Sequence, residues 1–423
     1  MAIQIPRRNF LASVPLIGTA AFLQAQTNEQ SDSDRISPLV DSPPVLQNPT
    51  KTSISVAWAV QTPATGWVEF GTTPQLGTKA ITPVFGLNPY DDRFLYTRIG
   101  NLKPNTAYYY RTATAAIDFK TAYNITTSEP VYSETYKFTT LATDADSCSF
   151  AVINDTHQNL PTLKALTARL DEEKADFTVW NGDLLNDVYT VEQFVQYIMR
   201  PADAPFAAEK PLLFVPGNHD YRGPWARNVP KCLTPWIHED SKDREMGWNF
   251  AIRKGPLAMI SLDTGEDKPD RHPVFSGLVN FEAGKVAQKE WLARTLKRPE
   301  IASAPYIVAF CHIPLYDKRP NANGGDSLDG YASFSRLGLN LWGQLLHEAG
   351  VQAVICAHMH QYRCDEPTSD RSWTQIVGGG PDLAKNATIM FAKADAKELT
   401  VVVEKLDTKN ELGRWSFPPR KID

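Results

Sequence analysis

Five short patterns in the second half of the chain bring together carboxylates, imidazoles and one amide: Asp155-Thr156-His157, Gly182-Asp183, Gly217-Asn218-His219-Asp220, His312, and His358-Met359-His360. The chain has eight histidines, and five of them fall in these places. Imidazole and carboxylate donors suit zinc, iron or manganese, and no thiolate cluster competes with them. A carboxylate has two oxygens and can bridge two ions. Two ions roughly 3.5–4 Å apart can hold a phosphoryl group, polarise it and activate a water. Titratable groups gathered in this way read as one site rather than as scattered structural histidines. Gly182 and Gly217, beside the ligand candidates, allow sharp turns where backbone packs closely.

Each pattern follows a short apolar run. Phe150-Ala151-Val152-Ile153 precedes Asp155, Phe177-Thr178-Val179-Trp180 precedes Gly182, and Leu212-Leu213-Phe214-Val215 precedes Gly217. Ile307-Val308-Ala309-Phe310 precedes His312, and Ala353-Val354-Ile355-Cys356 precedes His358. Met259-Ile260-Ser261-Leu262 is a further strand candidate. Continuous apolar runs of this length suggest strands buried on both faces, as in α/β sheets. Leu163, Leu166 and Leu170 share one helical face. Leu341, Leu345 and Leu346 mark another helix, and Thr388 to Phe391 with Leu399 to Val403 look like a closing hairpin. Ligands of open α/β sheets bind beyond the carboxyl ends of the strands, so five strand ends would bring these groups to one place.

In this order and at these strand ends, the motifs resemble the calcineurin-like metallophosphoesterase family. Its pattern is Asp-x-His, Gly-Asp, Gly-Asn-His-Asp or -Glu, a later histidine, and Gly-His-x-His. The resemblance covers about residues 149–405. It implies an α/β (α+β) metallophosphoesterase sandwich domain, placed here at 149–423, that acts on a small-molecule phosphate mono- or diester. It also implies two divalent or trivalent metal ions, of iron, zinc or manganese. Asp155, His157 and His360 would bind the first ion, Asn218, His312 and His358 the second, and Asp183 would bridge them. His219 would contact the phosphate or assist the leaving group, with Asp220 holding its ring. Two departures stand out. Ala357 replaces the usual glycine before His358, which adds only a methyl group. Residues 36–141 resemble the N-terminal domain of purple acid phosphatases, yet Asn186 stands where those enzymes carry a tyrosine ligand. They also lack the histidine that is His157 here, so purple iron–tyrosinate chemistry is not expected.

Several residues admit two readings. Asp220 could instead cap a helix N-terminus. Arg222, Lys318 and Arg319 follow motif residues and could bind phosphate oxygens, although most such side chains are solvated surface. Gly378-Gly379-Gly380 either lets a loop pass close to the site or forms a tight turn. The long insertions Tyr221 to Ala258 and Ile313 to Asn340 carry Trp225, Trp236 and Tyr316, which could stack on a nucleoside or sugar or fill the core. His238, His272 and His347 match no motif.

From about 36 to 141 the texture is all-β. Ile54, Val56, Trp58 and Val60 alternate with small or polar residues, the period of a half-buried strand. Val68 and Phe70 continue the pattern. Leu102 to Thr106 is a turn leading into Tyr108-Tyr109-Tyr110, and Tyr136 and Phe138 alternate near the end. Short strands between turns suggest a β sandwich. The stretch from Leu102 to Tyr110 resembles the tyrosine corner of fibronectin type III domains. With no catalytic cluster, this part reads as a packing or positioning module. A non-catalytic binding protein working through the sandwich is the alternative to an enzyme.

Residues 1–26 place Arg7-Arg8 before Asn9-Phe10-Leu11 and an apolar stretch to Leu23 that Pro15 and Gly18 interrupt. This resembles a twin-arginine signal, which implies export by that machinery to the periplasm or beyond the cell. Residues 27–35 are a polar linker. Hydrophobic residues make up 42% and charged residues 22% of the chain, enough for a large core. The net charge of -5 and the lack of a basic block give no reason to expect a nucleic-acid partner. No later apolar run is long enough to span a bilayer. None of the five cysteines forms a Cys-x-x-Cys pair, and one disulfide is possible without a sequence-based assignment.

Overall fold

Short strands rich in Val, Ile, Leu and Phe associate into three sheets in a computed structural model that describes residues 39–238, 241–244, 246–317 and 331–422. The twin-arginine segment, the linker, Lys318 and Arg319 lie outside the described residues. Residues Pro38–Asp423 make one unit. The largest sheet has nine strands. At its centre Cys148–Ile153, Phe177–Asn181 and Leu212–Val215 run parallel, with Val152 opposite Val179 and Val179 opposite Leu213. On one side Thr388–Ala394, Leu399–Lys405 and Glu411–Phe417 continue it antiparallel, one strand more than the expected hairpin. On the other side Val45–Gln47, Ile54–Ala59 and Phe94–Ile99 extend the same sheet, joined through Gln47 opposite Leu212.

The second sheet has six strands in the order Ala251–Lys254, Leu257–Ser261, Tyr306–Phe310, Ala353–Cys356, Thr374–Val377 and Arg363–Asp365. Its four central strands are parallel. The two sheets face each other across a core that includes Val152, Val179, Leu213, Met259, Val308 and Ile355. Outside the first sheet lies the helix Leu160–Glu172, whose Leu163, Leu166 and Leu170 are buried. Asn159 begins that helix by accepting a hydrogen bond from the Thr162 N–H at 3.1 Å. Outside the second sheet, Trp291 and Leu292 of the helix Phe281–Thr295 pack with Trp342 and Leu346. Strands buried on both faces explain why their sequences are continuously apolar. Among the described residues no helix is long and apolar enough to cross a membrane, and none of the five cysteines is in a disulfide.

A third sheet, built on the long strand Ala107–Thr121 and its partner Ala64–Gly71, completes the N-terminal region. Ile54, Val56 and Trp58 pack against it with Tyr108, Tyr110 and Phe138. The expectation of a half-buried strand at Ile54 needs correction. Ser55, Ala57 and Ala59 on its other face are also fully buried, and the two alanines join the core that contains Leu163 and Leu166. The small residues mark a face pressed against neighbours rather than against water. Tyr110 crosses the same junction, its hydroxyl donating to the Ala208 carbonyl at 2.6 Å. Within the third sheet's corner, the Lys103 N–H donates to the Tyr108 hydroxyl at 3.0 Å.

Candidate metal centre

All five motif sets emerge at the carboxyl ends of parallel strands, three from the first sheet and two from the second. Asp155, His157, Asp183 and His360 form one donor cluster, and Asp183, His312 and His358 form another. Within each cluster the candidate ligand atoms lie within 4.8 Å of one another. Asp183 belongs to both.

The backbone is strained where these residues sit. Asp155, His157, Asp183, His358 and His360 have φ of 44°, 42°, 53°, 69° and 52°. Left-handed conformations cost non-glycine residues on the order of 1–2 kcal/mol each, and such strain gathers at functional sites. Gly182, with φ 79°, has no choice: a Cβ there would collide with His312 and lie 2.7 Å from the Gly217 Cα. A Cβ on Gly217 would fall onto Asp183. The triple glycine proves to be a close approach to the site: a Cβ on Gly378 would overlap Asn154, and one on Gly380 would sit 2.7 Å from the His360 Cβ.

Hydrogen bonds commit one side of Asp155, Asp183 and His312 and leave the other facing inward. Asp155 Oδ2 accepts from Asn154 Nδ2 at 2.7 Å and from the His358 N–H at 2.9 Å. Its Oδ1 faces His360 Nε2 at 3.4 Å and His312 Nε2 at 3.9 Å. Asp183 Oδ1 accepts from the His219 N–H at 2.9 Å, while Oδ2 faces His312 Nε2 at 3.1 Å. His312 Nδ1 donates to the Asn181 carbonyl at 2.9 Å, which fixes the tautomer and turns Nε2 inward. His157 Nε2 and His360 Nε2 point at each other 2.9 Å apart, and His358 Nδ1 lies 2.9 Å from Asn218 Oδ1. Inward-facing nitrogens and oxygens of this kind fit two metal ions sharing Asp183.

Without metal the cluster is electrostatically tense. Burial would raise Asp183, but the adjacent His312 outweighs it and holds the carboxyl well below its usual range. Burial would lower His312, yet Asp183 and Asp155 push it up to about 10. Burial and the His312 charge push His358 down to about 4. Burial also lowers His157, whereas the Asp155 carboxylate raises His360.

The expectation that Asp220 holds the His219 ring is corrected by the geometry. Asp220 accepts from the backbone N–H groups of Gly217 at 2.8 Å, Leu184 at 3.0 Å and Asp183 at 3.1 Å. It ties the Gly217 turn to the Asp183 turn, and it is the third residue of a short 3-10 turn whose N-cap is Gly217, reaching back to that residue's N–H. Burial and the nearby Asp183 push it up to about 7. The His219 ring is held instead by the main-chain carbonyl of Asn186, which faces Nδ1. Its Nε2 lies 3.0 Å from Arg222 Nη1.

Arg222 is not solvated surface. It makes a bidentate pair with Glu266, at 2.9 and 2.7 Å, and reaches Asp267 at 2.9 Å. Asp267 and Lys268 line the metal cleft, a cavity of about 520 Å3, together with His219, Arg222, Met359 and His360. Sequence reasoning missed Glu266, Asp267 and Lys268. They follow the strand Leu257–Ser261 by five to seven residues, further than the other motifs follow theirs. The aromatic residues of the insertions serve packing. Trp225 lies against Phe94 and Phe194, Trp236 against Phe250, and Tyr316 under Arg371. His238 and His347 make local backbone contacts with Met246 and Ser372.

The pattern of the calcineurin-like phosphoesterase family matches residues 148–362, and the chain belongs to that family. It is 23% identical to "Probable purple acid phosphatase 20" of Arabidopsis thaliana over 278 residues, 62% of this chain and 53% of that protein. The chain thus spans about half the length of that curated relative. Its fold is similar to that of the purple acid phosphatase PPD1 from yellow lupin (Lupinus luteus) seeds, with a TM-score of 0.65 at 14% identity. That likeness covers 89% of this chain and 74% of the lupin one. It is also similar to PhoD, with a TM-score of 0.57 at 12% identity over 91% and 94% of the two chains.

Proposed function

We propose that this protein is a binuclear metal-dependent phosphoesterase that hydrolyses a small-molecule phosphate mono- or diester. The observation that carries the reading is the pair of inward-facing donor clusters with Asp183 in common. In this reading Asp155, His157 and His360 hold one ion, Asn218, His312 and His358 the other, and Asp183 bridges. Iron, zinc or manganese suits these donors. Bound metal supplies Lewis acidity and a water nucleophile at neutral pH. The protein's own part is to fix the ligands through Asn154, Asn181 and Asp220 and to place His219 and Arg222 over the cleft. When a phosphoryl oxygen takes the Arg222 Nη1–H, His219 Nε2 is released to take up a proton from solvent and pass it to the departing oxygen, with Nδ1 still held by the Asn186 carbonyl. A positioned acid of this kind contributes roughly 10²–10⁴-fold. The reading is tested by loading the protein with zinc, manganese or iron and assaying monoesters, diesters, nucleotides and phospholipid headgroups. Two bound ions with no turnover of any of them would sink it. For His219, the substitution His219→Gln should slow alkyl phosphates far more than aryl esters at unchanged metal content. An equal loss on both would assign it to charge stabilisation.

The N-terminal region, residues 36–141, we take as fibronectin type III-like, with its boundary to the 149–423 phosphoesterase domain drawn along the chain rather than between sheets. The Lys103–Tyr108 hydrogen bond supports it, since a tyrosine corner makes such a bond a few residues back. Tyr108→Phe should lower stability by about 0.5–1.5 kcal/mol in urea unfolding, and no change would remove the corner. Export by the twin-arginine route to the periplasm or beyond the cell rests on Arg7-Arg8 before Asn9-Phe10-Leu11. Replacing both arginines by lysine should stop mature protein from appearing outside the cytoplasm, and undiminished product there would refute it.

A further inference from the structure

The segment after strand Leu257–Ser261 brings two carboxylates into contact with the cations nearest the metal cleft. Glu266 is only 1% exposed and grips Arg222 through both oxygens. Asp267 bonds Arg222 Nη2 and Lys268 Nζ, each at 2.9 Å. A buried charge needs such pairing, and here the pairing leaves Arg222 Nη1 outside the carboxylate bonds, 3.0 Å from His219 Nε2, with both residues lining the cleft. Two cations are therefore matched by two anions at the rim where a substrate's outer oxygens would lie.

We propose that this matched set, Arg222 and Lys268 against Glu266 and Asp267, selects monoanionic phosphodiesters over dianionic monoesters. The proposal rests on the phosphoesterase reading of the metal site and names its substrate class. Around neutral pH a phosphate monoester carries about −1.5 to −2 charges, whereas each phosphodiester linkage carries one. A monoester must place its second charge where Asp267 already occupies both cations. A diester needs only the one N–H that Arg222 Nη1 offers, and its second ester group has no charge for Asp267 to repel. Glu266 acts as a positioning residue: it sets the plane of the guanidinium without reaching the cleft itself.

The test compares kcat/KM of the metal-loaded protein at pH 8 for bis(p-nitrophenyl) phosphate and p-nitrophenyl phosphate. The leaving group is the same in both, so proton delivery to it cancels from the ratio. The wild-type protein is expected to prefer the diester. Asp267→Asn and Glu266→Gln should each shift the ratio toward the monoester by at least about tenfold, the worth of one hydrogen bond to a charged group, with two metals retained. Asp267→Asn, at the cleft, keeps the test decisive if Glu266→Gln does not fold. A wild-type preference for the monoester, or a ratio unmoved in the folded variants, overturns the proposal while the phosphoesterase reading stands. Hydrolysis of neither substrate by the loaded protein would defeat the underlying reading instead.

Discussion

Metal binding to the metal-free protein should expel a proton from His312. Its Nδ1 is committed to Asn181, and its Nε2 faces Asp183 at 3.1 Å. Burial opposes the charge, but Asp183 and Asp155 hold the ring protonated up to about pH 10. A protonated Nε2 has no lone pair for a cation. Removing that proton at pH 7 spans about three pH units at about 1.4 kcal/mol each, or about 4 kcal/mol. Apparent affinity at the His312 cluster should therefore rise about tenfold per pH unit between pH 7 and 9. His358, held down to about 4 by burial and the His312 charge, has no proton to lose in this window. The same shift governs the stability of the metal-free fold. His312 has a folded pKa above its ordinary 6.5, so its contribution is complete below that pH and is lost as pH climbs through about 10. Rising pH should thus weaken the empty fold while tightening metal binding. Calorimetric zinc titration at pH 8 in two buffers of different ionisation enthalpy counts the protons released. His312→Gln should release about one fewer proton than the parent. A proton count that is flat with pH and identical in the variant would refute the reasoning.

Asp183→Asn should lose both ions, because one carboxylate serves both clusters; elemental analysis showing two retained ions would end the bridging assignment. Iron-loaded protein should show no intense tyrosinate band, since Asn186 is exposed and offers only its main-chain carbonyl to His219. A visible band abolished by mutating a tyrosine would contradict this. Gly182→Ala should lower the urea midpoint by the equivalent of about 3 kcal/mol. About 1–2 of that is the left-handed φ, and the rest is the clash with Gly217 and His312. An unchanged midpoint would mean that the turn relaxes freely.

The site was legible because its chemistry coincides with a regular feature of the fold. Apolar runs ending in Asp155, Asp183, Asn218, His312 and His358 announced five strand ends, and parallel sheets deliver strand ends to one rim. The sixth end, after Ser261, carried Glu266, Asp267 and Lys268 five to seven positions further on, and they passed unnoticed. Side-chain partners within a motif were less legible than its location. Adjacency suggested that Asp220 serves His219, but consecutive residues of a tight turn point apart, and Asp220 satisfies backbone donors instead. Trp225 and Trp236 illustrate a different limit. An aromatic residue in an insertion reads equally well as a ligand platform or as filling, and only its neighbours distinguish the two. The burial of Ile54 to Ala59 on both faces could not be read from alternation alone, because small residues look alike facing water or facing a packed neighbour.

The pairing of Gln47 with Leu212 joins strands of both textures into one nine-stranded sheet. The N-terminal strands leave the ribosome first, yet the edge they must join is encoded some 165 residues later. Closing a loop of that length is slow, so the early strands wait as an unfinished edge until the central strands arrive. Heating should then melt the N-terminal strands and the metal-bearing strands in a single calorimetric transition. A chain trimmed to begin near Ser149 would bare the rim of Leu212–Val215, an open template for sticking to other copies of itself.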